Sequence, residues 1–118
     1  MVDAGEALLA PKFASLPSVD WDAVQVDVAL DYNRLALAQY NSGDEKASLG
    51  SLERAIALRD DATFQCNKAG VLIYLKRLDD AAAAIERARV LRHDAAWLAQ
   101  LEAALAQARD NAREAGGA

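Results

Sequence analysis

Cysteine occurs once in this chain, at Cys66, so no internal disulfide can form and a reducing compartment is expected. Proline occurs twice, at Pro11 and Pro17, so nothing after Pro17 forbids helix. Histidine also occurs once, at His93, and no His/Cys/carboxylate group has the spacing of a metal site. Cys66 has no neighbouring base to make it a nucleophile, and no glycine-rich stretch has the form of a phosphate loop. These absences leave an enzyme reading little support, and no cofactor is expected. No apolar run approaches the length of a membrane span, so no membrane partner is expected. Residues 1–10 carry Asp3 and Glu6 with no basic region of a signal peptide, and a cytoplasmic location is expected. An excess of basic charge is also missing. The net charge is −5, which argues against nucleic acid as a partner. That charge is local: residues 32–118 hold twelve acidic and twelve basic side chains, so the imbalance belongs to residues 1–31.

What the chain does have is internal repetition. Residues 53–62 read ERAIALRDDA and residues 86–95 read ERARVLRHDA, with seven of ten positions matching at a spacing of 33. Upstream, YNRLALAQY at 32–40 echoes CNKAGVLIY at 66–74, at a spacing of 34. A period of this size marks a stacked repeat, in which each unit buries its apolar face against its neighbours. A composition that is 53% hydrophobic, with alanine dominant, suits closely packed helices.

The expected organisation follows from caps and breakers. Residues 1–17 form an N-terminal tail, with Phe13 or Leu16 as an apolar anchor. Ser18 offers an N-cap for a helix over about Val19–Asn41, with Asp20 and Asp22 in its first turn. Val24, Val26, Val28, Leu30 and Tyr32 alternate with period two, which is a strand signal, yet no second strand exists to pair with them. Gly43 stops this helix and Asp44 caps the next, over about Asp44–Leu58. Asp60 or Asp61 caps a third over about Ala62–Leu75, and a tight turn without glycine at Lys76 to Leu78 leads to a fourth over about Leu78–Leu91. The missing glycine accounts for the slip from 34 to 33. Asp94 caps a fifth over about Ala95–Asn111, carrying Trp97, Leu98, Leu101, Ala104 and Leu105 at helical spacing, and residues 113–118 fray.

With these elements in place, the pattern resembles the tetratricopeptide repeat. The first unit supplies Tyr32, Leu35, Ala36, Gln39, Ser48, Leu52, Ala55 and Asp60. The second supplies Cys66, Ala69, Gly70, Ile73, Ala81, Ile85, Ala88 and His93. The resemblance covers about residues 29–95. It implies an all-α fold of two antiparallel helix pairs, at about 29–61 and 62–94, stacked as a short right-handed solenoid. An N-terminal extension precedes them and a capping helix at 95–111 follows, so that 18–112 form one domain. Ala36 and Gly70 are expected where the helices of a pair cross, and Ala36, Leu52, Ala55, Gly70, Ile85 and Ala88 form the expected core. The segment 18–28 is expected to cover the open end of the array, with Trp21 and Val24 packing inward.

In this family the first helices of each pair line a concave groove. The resemblance therefore places Asn33, Arg34, Asn67 and Lys68 as a polar stripe that holds a partner's backbone or carboxylate. Beside it run Leu30, Phe64 and Trp97, then Leu37 and Val71, then Tyr40 and Tyr74, as an apolar and aromatic floor. The expected function is a small non-enzymatic adaptor that binds a peptide or helix of a partner protein. A small chaperone of the kind found in bacterial type III secretion systems is an alternative by size and fold. A self-assembling structural unit, a homo-oligomer through the open repeat end, is another. The acidic tail is a candidate for weak, salt-sensitive occupancy of its own groove.

Overall fold

The computed structural model describes residues 20–91 and 94–117, and they form five helices with no strand among the described residues. These are α1 (Trp21–Asn41), α2 (Glu45–Leu58), α3 (Ala62–Tyr74), α4 (Leu78–Leu91) and α5 (Ala95–Gly117). The expected tail anchors Phe13 and Leu16, the Ser18 cap and His93 lie outside the described residues. Connections are short, so consecutive helices run antiparallel. The most extensive contacts are α1 on α2 and α3 on α4, while α2 packs on α3 and α5 touches both α4 and α3.

Aspartates start four of the five helices, as their preference for the N-cap predicts. The Asp44 carboxylate accepts from the Ala47 N–H at 3.2 Å, Asp61 from Thr63 at 2.8 Å and Asp94 from Trp97 at 3.2 Å. The cap of α1 is Asp20, which accepts from the N–H groups of Asp22 and Ala23. The helix thus begins at Trp21, two residues later than a Ser18 cap implies. The period-two apolar run at 24–32 is helical throughout. Read on a helix, it spreads around the axis, which is why Val24, Val28 and Leu30 stay exposed and only Ala29 of this stretch is buried. At the other end α5 continues past Asn111 to Gly117, supported by an Asp110–Arg113 ion pair and a Gln107–Asn111 hydrogen bond of 3.0 Å.

The two turns within pairs are copies of one device. After α1, the Gly43 N–H donates to the Tyr40 carbonyl and Asp44 to Gln39. After α3, Lys76 donates to Ile73 and Arg77 to Leu72. Both are Schellman caps, and both need a left-handed residue after the helix. Gly43 supplies it at φ 89° and Lys76 at φ 65°. The second turn is therefore not shorter for lacking glycine. Every partner in it lies 33 residues after its counterpart in the first. This corrects the expected register of the first helices, because an unbroken helix between cap and body cannot absorb one residue. At a spacing of 33, Ala36 corresponds to Ala69, and both are fully buried. Gly70 corresponds to Leu37 and is only half-buried. A lysine held at positive φ is strained by about 1 kcal/mol. Lys76→Gly is expected to raise the unfolding free energy by up to that amount, measured by urea titration, with an unchanged denaturant slope.

The core runs along the helix interfaces. Leu49, Leu52, Ala69, Val71, Leu72, Ala81, Ala84, Ile85 and Ala88 form its centre, joined by Leu98, Leu101 and Leu105 from α5. A second cluster joins Ala29, Ala55 and Phe64. Of the expected core, Ala36, Leu52, Ala55, Ile85 and Ala88 are buried. Gly70 is not, because a Cβ built on it meets nothing within 4 Å. Where α1 crosses α2, the buried Ser48 hydroxyl donates to the Ala36 carbonyl at 2.7 Å, and Ser51 donates to Gln39 Oε1 at 2.7 Å. These bonds satisfy polar atoms that would otherwise be costly at such close contact. Trp21 and Val24 do not pack inward as expected: they are 59% and 41% exposed.

Candidate functional site

Helices α1, α3 and α5 meet over α2 around a hollow of about 170 Å³. Leu37 and Tyr40 come from α1, Cys66, Asn67, Gly70 and Val71 from α3, and Trp97 and Leu101 from α5. Ser48 and Leu52 of α2 close its floor. The lining is mainly apolar, with Asn67 as a polar side chain at its edge. Its depth rests on Gly70, since any side chain there enters the open space.

The expected groove residues divide into three groups. Leu37, Tyr40, Asn67, Val71 and Trp97 surround the hollow. Asn33 joins them through Asn67, whose Nδ2 donates to Asn33 Oδ1 at 2.9 Å, so the two asparagines tie α1 to α3. Tyr74 meets Tyr40 edge to face, with ring centroids 5.7 Å apart, and remains exposed. Leu30 lies two turns before Leu37 on α1 and is exposed.

The others are placed elsewhere. Phe64 is 2% exposed in the cluster with Ala29 and Ala55, where the first turn of α3 sits on α2. Arg34 is exposed and paired with Asp31 at 2.5 Å on its own helix. Lys68 turns to the opposite side of α3, lining a depression with Glu53, Gln65, Arg77 and Asp80. The two cations therefore do not form one stripe with the asparagines. Gly70, Cys66 and Leu101 were not among the expected site residues. The available signal for Gly70 was the spacing of 33, which matches it to Leu37, already a floor residue.

Cys66 and Trp97 also border a more polar hollow of about 240 Å³, with Arg59, Asp60, Asp61, Thr63 and Asp94 around it. Burial pushes the Cys66 thiol above its ordinary range, and the Asp94 and Asp61 carboxylates push it further the same way. The thiol is thus a neutral wall of the site at neutral pH. Asp60 shows the opposite balance. Partial burial raises its pKa, but hydrogen bonds from Gln65 at 2.8 Å and Arg87 at 2.7 Å outweigh this and hold the carboxyl below the usual range. Asp60 thus ties α3 to α4.

No group of His, Cys, Asp and Glu able to hold a metal ion occurs among the described residues. Among those residues no helix is long and apolar enough to cross a membrane. No protein-family model matches the chain, and neither a curated protein nor a solved structure matches it.

Proposed function

We propose that this chain is a non-enzymatic protein-interaction module of the tetratricopeptide kind, two helix pairs and a capping helix stacked as a short solenoid. Its groove takes a segment of a partner protein. The observation that carries this reading is the apolar hollow at Gly70, where α1, α3 and α5 meet over α2. A hollow of this volume accepts one bulky apolar side chain, and the asparagine pair beside it offers amide groups to the backbone that carries that side chain. A peptide or an amphipathic helix with an apolar anchor fits. A buried, neutral thiol in the wall suits a reducing, cytoplasmic setting.

The test fills the hollow without disturbing the core. Peptides selected from a displayed random library on the parent chain are titrated against Gly70→Leu and against Asn33→Ala with Asn67→Ala. Gly70→Leu is expected to weaken binding by at least about tenfold, the equivalent of a lost side-chain pocket. The melting temperature should not fall. The asparagine pair is expected to contribute less, a few-fold, because the two amides already bond to each other when the groove is empty. Equal affinity for parent and Gly70→Leu removes the hollow from the site.

A further inference from the structure

Helix α1 is eight residues longer at its start than its counterpart α3, at the repeat spacing of 33. On this helix Trp21, Val24, Val28, Asp31, Leu35 and Ala38 recur at alternating steps of three and four. That is the spacing of a two-helix seam. All six are exposed, including Trp21 at 59%, Val24 at 41%, Val28 at 40% and Leu35 at 46%. Five of the six are apolar. At 3.6 residues per turn they lie on the side of α1 turned away from Asn33 and Leu37. The seam is thus separate from the hollow, and its argument does not depend on the groove reading.

We propose that α1 pairs antiparallel with α1 of a second copy of this chain through this seam. The occupant is chosen by self-complementarity. About a twofold axis between the levels of Ala29 and Leu30, Trp21 of one copy lies against Ala38 of the other, Val24 against Leu35, and Val28 against Asp31. The outermost layer sets the largest side chain against the smallest. Asp27 and Arg34, both exposed, flank the seam on the same edge. Reversing the direction of the second helix brings Asp27 of each copy beside Arg34 of the other, twice by symmetry. A parallel pairing sets Asp27 beside Tyr32 and Arg34 beside Gln39, and yields no opposite-charge contact. The charges therefore select the antiparallel order. Asp31 is the polar member of the seam, and Arg34 already neutralises it within the helix. One such residue fixes register at a cost in affinity, so a reversible dimer is expected.

Sedimentation velocity on the full chain, from a few micromolar to about 1 mM, tests this against the affinity scale. The parent is expected to shift from monomer to dimer within that range. Val28→Asp puts two charges into the seam and is expected to weaken association on the order of a hundredfold. Circular dichroism should show unchanged helicity, because Val28 is already 40% exposed. Arg34→Asp alone is expected to weaken the dimer about tenfold, since two rim pairs are reversed. Adding Asp27→Arg should restore it. Asp27→Arg alone should weaken the antiparallel dimer as Arg34→Asp does and leave a parallel one unchanged, so recovery in the double variant with loss in both single ones marks the Asp27–Arg34 contact. A parent chain that stays monomeric at about 1 mM overturns the proposal. So does a dimer that survives Val28→Asp, or a charge swap that restores nothing. If deleting residues 1–19 turns a monomeric parent into a dimer, the preceding segment occupies the seam, and a second copy does not.

Discussion

Leu72→Ala is expected to lower the unfolding free energy by about 2–5 kcal/mol, the range for a large-to-small change in a core that cannot collapse. Leu72 has no exposed surface and belongs to the central cluster with Leu49, Ala84 and Ile85. It stands on α3 and shares a lining with Leu49 of α2 and Ala84 of α4, so the cavity left behind lies between those helices. Domains of this size have about 5–15 kcal/mol of stability in total, so the loss is a large share of it. The melting temperature should fall by at least about 10 °C. Val90→Ala provides the comparison. Val90 is also helical but 73% exposed, and its truncation is expected to stay within about 0.5 kcal/mol of the parent. Thermal unfolding of both variants by circular dichroism checks the contrast. A Leu72→Ala variant that melts with the Val90→Ala variant would mean that α3 is not the helix on which the others pack.

The helix boundaries were legible because their signals are local. Asp44, Asp61 and Asp94 act where a side-chain oxygen two or three residues ahead of an unpaired N–H must act. Part of the inner face of α2 was legible: Leu52 and Ala55 of the expected core are buried, with Ser48, Leu49 and Ser51 beside them. The register between the two first helices was not. Asn33-Arg34 and Asn67-Lys68 look alike at a spacing of 34, but side-chain likeness does not fix helix phase. The Schellman caps do, and their bonds fall at 33. One of those caps was hidden, because Lys76 carries a conformation normally announced by glycine. The consequence for the site was specific. A shift of one residue is 100° around a helix, enough to move Lys68 to the far side of α3 and Gly70 from a crossing point to the floor of the hollow. Phe64 was misplaced for a different reason. Apolar spacing tells which residues leave water, but not whether they face a groove or the next helix. The exposed seam on α1 was partly visible as alternating valines, and only a helical backbone turns them into a stripe.

The adjacent pair Ala69 and Gly70 offers the sharpest test of that register, because the same substitution at each should act in opposite directions. Ala69 is fully buried and corresponds to Ala36, where α1 lies close enough to α2 for Ser48 to reach a backbone carbonyl. Ala69→Leu adds three carbons at the matching contact of α3 with α4. It is expected to cost about 1–3 kcal/mol by overpacking, and more if α4 is forced away. Gly70→Leu adds a whole side chain but points it into open space. Replacing a glycine inside a helix removes backbone freedom from the unfolded chain and is expected to add about 0.5–1 kcal/mol. The two variants should therefore bracket the parent in urea titration, Ala69→Leu below it and Gly70→Leu at or above it. A register of 34 predicts the reverse order, since it puts Gly70 at the crossing of α3 with α4 and leaves Ala69 beside it. The measured order decides which residue of the pair is structural and which shapes the hollow.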